Sequence, residues 1–362
     1  MSRADGMNYA PKGKQKPVCK KGDFVFSVIG LNHGHIYGMC NGLIEAGAEL
    51  KSVYDTDEER LKRFVDTYKN VKIAKSEDEI LNDHRINMIA SATITSERGP
   101  LGMKVLESGK DYFVDKAPFT TLEQLEIARQ KTKYTGKKYM VYYSERLHVE
   151  SSVFAEELIK DGAIGKVIQV MGLGPHRLNP SSRPDWFFEK EKYGGILCDI
   201  GSHQIEQYLT FANVKDATVV RSQIANYNNP QYPELEDFGE AMLIGDNGAT
   251  NYFRVDWFTP KGLRTWGDGR TIILGTNGYI ELRKYIDIGR EDTSDHVYLV
   301  NNEGEKHIHV AGNVGFPYFG KLILDSLNRT ENAMTQEHAF KAAELSLIAQ
   351  SLAVRINHKI KG

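Results

Sequence analysis

The stretch Tyr193-Gly194-Gly195-Ile196-Leu197-Cys198-Asp199-Ile200-Gly201-Ser202-His203-Gln204 holds the residue types from which proton-transfer chemistry is built. Asp199 and His203 are one helical repeat apart in sequence. On a helix such a pair lies on one face, within about 6 Å. An imidazole moves protons near neutral pH, and a carboxylate one turn away orients it and favours its charged form. The two glycines free the preceding backbone for a tight loop. Asp199 opens an apolar-periodic run, Ile200, Ile205, Tyr208 and Leu209, that reads as a helix. The same residues also suit an acid favoured by a helix dipole and a plain surface histidine, so the rest of the chain must supply the context.

The elements upstream supply some of it. Phe24 to Gly30 is a short, nearly continuous apolar run, as expected of a strand buried on both faces. Leu31-Asn32-His33-Gly34-His35 follows, then a helical pattern through Ile44 and a second strand, Leu50 to Tyr54, that ends at Asp55. Strand, tight turn, helix, strand, acid is the order of a dinucleotide-binding unit. The turn lets the backbone approach a pyrophosphate at the helix N-terminus, and the acid takes the ribose hydroxyls. The glycine fingerprint G-x-G-x-x-G would put glycines at 30, 32 and 35, where the chain has Gly30, Asn32 and His35. Asn tolerates left-handed backbone better than most residues, and His33 and His35 are candidates for contact with phosphate or nicotinamide. Asp55 with no arginine beside it favours NAD over NADP, because a 2′-phosphate would meet a carboxylate.

The alternation then continues. Thr56 with Glu59 and Ser76 with Glu79 have capping-box spacing. Strands are expected at Val71–Ala74, Met88–Ala92, Asp111–Asp115 and Lys138–Tyr143, with helices at Glu97–Ser108 and Thr121–Tyr134. This predicts an α/β chain whose N-terminal part is a Rossmann, doubly wound parallel sheet. Its ligand should lie past the strand ends Gly30, Asp55, Thr93, Asp115 and Ser144. After Glu145 the texture changes to several β-rich runs between Ala217 and Val310, closed by helices near 318–328 and 336–356. They predict a C-terminal α/β domain with a large open, mostly antiparallel sheet. The expected organisation is a flexible basic arm over 1–22, a dinucleotide domain over 23–145, and a substrate-binding and oligomerisation domain over 146–362. The arm carries Lys12, Lys14, Lys16, Lys20 and Lys21 and reads as a solvated lead-in or a strap onto another subunit.

Composition narrows the function classes. With 362 residues, 26% charged and a net charge of −2, the chain has no basic field for nucleic acid. No apolar run approaches the roughly 20 residues of a membrane span, and no signal-peptide core is evident. Cys19, Cys40 and Cys198 have no paired spacing, which argues against a disulfide framework or a cysteine metal site and fits a cytoplasmic setting. His307 and His309 share one side of an expected strand, but two histidines are too few for a metal, so none is assigned.

At Gly109-Lys110-Asp111-Tyr112-Phe113-Val114-Asp115-Lys116-Ala117-Pro118 the chain resembles the Glu-Lys-Pro signature of the glucose–fructose oxidoreductase / inositol dehydrogenase / MocA family, with Asp115 for the Glu, Lys116 for the Lys, and the Pro one place late. The opening stretch resembles that family's second signature, Gly-Gly-x-x-x-Asp-x-Gly-x-His, at Gly194, Gly195, Asp199, Gly201 and His203. The family's Thr-Pro-Asn run is replaced by Thr93-Ile94-Thr95. The resemblance implies that Lys116, Asp199 and His203 are catalytic. His203 or Lys116 would be the base. With Asp115 and Lys116 added, the cofactor candidates are Gly30, Asn32, His33, His35, Asp55, Thr93, Asp115 and Lys116. Position suggests Tyr143, Arg146, His176, Arg177, Arg183 and Trp186 for the substrate, since arginine, histidine and tryptophan suit a polyol ring.

The expected function is NAD-dependent hydride transfer from a secondary alcohol of a sugar, cyclitol or sugar derivative, by a homo-oligomer, dimer or tetramer. Two alternatives stay open. One is redox-neutral chemistry, in which transient oxidation permits elimination, epimerisation or glycoside cleavage. The other is a non-catalytic regulator that senses NAD.

Overall fold

A computed structural model describes residues 6–13, 16–290 and 293–356. The chain divides into two compact units, one of residues 7–142 and 316–340, the other of Gly6, 143–315 and the described residues from 341 onward.

The first unit opens with β1 (Val25–Ile29), whose five residues are all buried, as the apolar run requires. It continues α1 (His35–Glu45), β2 (Glu49–Tyr54), α2 (Glu58–Thr67), β3 (Lys72–Ile73), α3 (Glu77–Leu81), β4 (Met88–Ser91), α4 (Thr95–Glu107), β5 (Asp111–Asp115), α5 (Leu122–Thr135) and β6 (Tyr139–Tyr142). The six strands are all parallel, in the order β3-β2-β1-β4-β5-β6, the doubly wound order of a dinucleotide fold. Ser76 caps α3 by accepting from the Glu79 amide, as its spacing predicts. The Thr56 cap is corrected. Asp57 takes that place, in extended backbone, and its side chain accepts from the Arg60 amide. Asp55 fixes it there by accepting the Asp57 amide at 2.8 Å. Pro100 lies inside α4, where it cannot donate to the carbonyl of Ser96. The Gln124 side-chain amide donates to that carbonyl instead, at 3.2 Å.

Of the expected arm, described residues lie along α1. Gly13 donates to Glu45 at 2.8 Å and Val18 to the carbonyl of Ala46 at 2.9 Å. Lys14 and residues 1–5 lie outside the described residues.

The second unit contains α6 (Ser144–Leu147), α7 (Glu150–Lys160), β7 (Val167–Pro175), α8 (Lys190–Tyr193), α9 (Ile196–Asp199), α10 (Gly201–Phe211), β8 (Ala217–Ala225), β9 (Phe238–Gly245), β10 (Thr250–Asp256), β11 (Arg270–Gly275), β12 (Gly278–Arg283), β13 (His296–Asn301) and β14 (Gly304–His309). Beyond these come α11 (Pro317–Asn328), α12 (Gln336–Leu352) and β15 (Val354–Arg355). Among the described residues its sheet has nine strands, in the order β14-β13-β12-β11-β7-β10-β9-β8-β15. It is antiparallel except at β7–β10 and β8–β15. Alternate residues along its central strands are buried, and α10 lies against β7 and β10. Among the described residues, no helix is long and apolar enough to cross a membrane.

In the first unit α11 ends at Arg329, in left-handed backbone, whose guanidinium clasps the fully buried Asp111 at 2.7 and 2.9 Å. Asp111 also accepts the Lys138 amide at 2.9 Å and so ties β5, β6 and the end of α11 together. Arg329→Ala leaves this carboxylate without its cation. The expected cost is about 2 kcal/mol, read as a lowered urea midpoint. An unchanged midpoint would show that the clasp contributes nothing.

Candidate active site

The turn after β1 is shaped by Gly30, at φ +85°, where a Cβ would lie 2.6 Å from Thr93 Cβ. The Leu31 amide donates to Asp55 Oδ2 at 2.6 Å. The other oxygen of Asp55 accepts from Arg60 Nε and Nη2 at 3.1 and 2.8 Å. Thr93 Oγ1 donates to Asn32 Oδ1 at 3.3 Å and to Glu97 at 3.0 Å. Gly30, Asn32, Asp55 and Thr93, four of the expected cofactor residues, thus line one cleft of about 530 Å³ together with Arg60.

Three further cofactor candidates form a buried cluster in the same unit. His35 Nδ1–H donates to Asp115 Oδ1 at 2.9 Å. Arg98 Nη2 donates to Asp115 Oδ2 at 3.1 Å. His33 Nδ1 accepts the His35 amide at 3.2 Å, which puts the proton of a neutral His33 ring on Nε2. Burial pushes His33 well below its usual range, the neighbouring His35 adds to this, and Asp115 opposes it. Burial works to raise the Asp115 carboxyl, but His35, Arg98 and His33 hold it well below the usual carboxylate range. In type and spacing, His33, His35 and Asp115 could hold a cation. Here Arg98 engages Asp115 Oδ2, His35 engages Asp115 Oδ1, and the His35 amide engages His33 Nδ1.

Arg98, which nothing in the local sequence singled out, also binds the main chain of the signature. It donates to the carbonyls of Thr93 and Ala117, at 2.8 and 3.1 Å, and to that of Lys116. A fully buried guanidinium therefore shapes the turn that presents Lys116.

In the other unit, Gly194 and Gly195 both have positive φ, at 88° and 94°. A Cβ on Gly195 would come within 2.3 Å of Gln350, which accepts the Leu197 amide at 3.0 Å. Glu236 accepts the Ile196 amide at 2.9 Å and is paired with Lys190. The expectation that Asp199 opens the helix of His203 is corrected. Asp199 ends α9, Ile200 intervenes, and α10 starts at Gly201, packed onto Phe253. Gly195 and Ile196 carbonyls receive the amides of Asp199 and Ile200, which closes α9 as a separate turn. Asp199 is half-buried and His203 fully buried, with the Tyr143 ring edge-on at 6.4 Å.

The expected substrate residues divide. His176 Nε2 lies 3.9 Å from Glu145, and its ring packs against Trp257 and Trp266. Arg146 is held by Glu206 at 2.5–2.9 Å and by Glu156 at 3.1 Å. Arg177 donates to three loop carbonyls, of Pro260, Leu263 and Thr265. Arg183 stacks on Phe187 and Trp257, and Trp186 packs beside Phe187. The geometry thus brings Tyr143, His176 and His203 to Glu145's surroundings and gives the three arginines partners in the fold. Sequence reading missed Glu145, whose only signal was its place just past the last parallel strand. Burial works to raise Glu145, but Lys284, His203 and His176 lower it to about 2.

Two family models match the chain. The oxidoreductase family with an NAD-binding Rossmann fold covers residues 26–143, and the GFO/IDH/MocA C-terminal domain covers residues 153–281. A solved oxidoreductase structure from Erwinia carotovora atroseptica SCRI1043 is 52% identical, with 92% of this chain and 100% of that one covered and a TM-score of 0.90. The scyllo-inositol 2-dehydrogenase (NAD(+)) of Bacillus subtilis (strain 168) is 29% identical over 259 residues, 70% of this chain and 72% of its own length. A D-xylose dehydrogenase of Paenarthrobacter nicotinovorans is 26% identical over 212 residues, 57% of this chain and 53% of its own. The chain belongs to the Gfo/Idh/MocA family of NAD-binding oxidoreductases.

Two expectations follow. Asp55→Ala removes the acid at the end of β2, the one expected to take the ribose hydroxyls, and releases Arg60, so NAD binding should weaken by about tenfold while NADP binding strengthens. Nucleotide titrations of the variant read both, and parallel losses would contradict it. Secondly, the Glu145 carboxyl is lower in the fold than its ordinary 4.5, and that of Asp115 lower than its ordinary 3.8. Their contribution to stability is complete above the ordinary values and is lost as pH falls through the folded ones. Urea midpoints should therefore drop as pH falls from 4.5 towards about 2. A flat profile there would contradict the account.

Proposed function

We propose that this chain is an NAD-dependent dehydrogenase of a secondary alcohol on a cyclitol, a sugar or a sugar derivative, acting as a homo-oligomer. The observation that carries the reading is that each signature is held by a buried network of its own. The Asp115-Lys116 turn is bound by Arg98, and the Gly-Gly turn before Asp199 and His203 by Glu236 and Gln350. Relatives named for scyllo-inositol and D-xylose support the substrate class.

Gly30, Asn32, Asp55 and Thr93 would hold the adenosine and pyrophosphate side of NAD, with His33 and His35 near the turn. The donor set suits the group, since an acid lies at the end of β2 and a left-handed glycine at the end of β1. Bound NAD supplies the hydride acceptor. In this reading His203 takes the hydroxyl proton of the alcohol, Asp199 steadies the imidazolium, and Lys116 donates to the oxygen as negative charge develops on it. Tyr143 and His176 would contact the remaining hydroxyls.

Half-exposed apolar residues on one face of the second unit's sheet support self-association. Ile244, Thr250, Gln169, Leu274 and Tyr279 are register partners across five strands. Ile244, Leu274 and Tyr279 are 47%, 39% and 41% exposed, as is Met242, at 48%, two residues along β9. Such a face suits burial against a second copy.

Purified protein with NAD and a panel of scyllo-inositol, myo-inositol, D-xylose and D-glucose should reduce the nucleotide. His203→Ala and Lys116→Ala should each lower kcat by roughly a hundredfold or more, while His203→Ala still binds NAD. NAD binding without turnover of any alcohol would overturn the reading.

A further inference from the structure

The residue after β12, Lys284, is wholly shut from solvent. Its Nζ donates to Glu145 Oε2 at 3.2 Å and to Gln207 Oε1 at 2.6 Å. The same Glu145 oxygen accepts Gln204 Nε2 at 2.9 Å. Gln207 Oε1 also accepts Thr271 Oγ1 at 3.3 Å, and its Nε2 donates to the carbonyl of His203 at 2.9 Å. Residues 204 and 207, next to His203 and one turn beyond it on α10, are therefore fastened to one buried ion pair. The sheet is cut to fit. A Cβ on Gly172 would lie 2.2 Å from Gln204 Oε1, and one on Gly174 would lie 2.9 Å from its Nε2.

Stability alone does not call for this arrangement. A buried ion pair pays for desolvation, and apolar residues of similar volume often fold as well or better. What apolar residues lack is direction, since hydrogen bonds hold an amide at one angle and one height. Besides His176 Nε2, 3.9 Å from Glu145, and the Thr271 hydroxyl, the network reaches the main chain of His203 and that residue's neighbours on α10.

We infer that Lys284 and Glu145 are positioning residues for the reaction, an ion pair that, through Gln204 and Gln207, fixes the turn of α10 bearing His203 and so sets the aim of its imidazole. The inference rests on the reading of His203 as the base. Gln207 is the link, because it touches both Lys284 and the His203 carbonyl.

The test uses the full chain labelled with ¹⁵N-histidine and the double variant Glu145→Gln/Lys284→Met, which removes both charges and keeps the volume. The variant should fold and bind NADH as before. The His203 ring resonances, assigned with His203→Asn, should move while those of His33 and His35 stay. With scyllo-inositol, kcat should fall roughly ten- to a hundredfold, as for a slightly misplaced catalytic group, with much less change in KM. A merely structural pair would lower the melting temperature and leave the His203 resonances and kcat in place, which would overturn the inference. The resonances decide it even if no polyol is turned over, and absent turnover then counts only against the dehydrogenase reading. Should the double variant not fold, Gln207→Leu cuts the link with the ion pair intact and has the same two outcomes.

Discussion

A carboxylate that water cannot reach is the fixed point of the nucleotide unit. Asp115 ends β5, and His35 and Arg98 bind its two oxygens. Each partner has a second task. His35 is the first residue of α1, so its bond anchors the turn after β1, where a dinucleotide fold receives its phosphates. Arg98 reaches onward to the carbonyls of the signature lysine, Lys116, and of Ala117 after it. One buried charge thus couples the turn after β1 to the turn that presents Lys116. Unpaired, it would be costly to bury; paired on both oxygens, it is an anchor.

The second unit solves the same problem with different residues. Its Gly-Gly turn requires left-handed backbone, and the amides that follow it are received by Glu236 and Gln350. Below it, Glu145 and Lys284 grip the next helical turn. In both units a family signature marks the visible residue, and a buried ion held by long-range partners determines where that residue sits. Precise placement matters because small displacements of a reacting group cost much in rate.

The layout of the first sheet was legible because its signals are local. The apolar run at β1, the acid at the end of β2 and the alternation of helix and strand each follow from neighbouring residues. Local signals also misled. Thr56 has capping-box spacing, yet Asp57 wins the cap because Asp55 fixes its amide. Asp199 has the spacing of a helix start, yet it closes a short helix of its own, because the Gly-Gly turn begins the coil early. Arg98, Glu145 and Lys284 were invisible for another reason. Lys284 and Glu145 lie 139 residues apart, and Arg98 meets Asp115 17 residues on, across a helix and a strand, so no pattern in either neighbourhood records the pairing. The arginines expected to meet substrate were chosen by type and position, and in the fold Arg177 donates to loop carbonyls while Arg183 stacks on aromatic rings.

The central claim is that this chain moves a hydride from an alcohol carbon to NAD. The most direct measurement follows the hydrogen itself, with scyllo-inositol deuterated at carbon, unlabelled NAD, and mass analysis of the nucleotide after reaction. The account predicts deuterium in the reduced nicotinamide and a slower rate than with the unlabelled polyol. Reduced nucleotide without the label, or product formed while the nucleotide never carries it, would contradict the account.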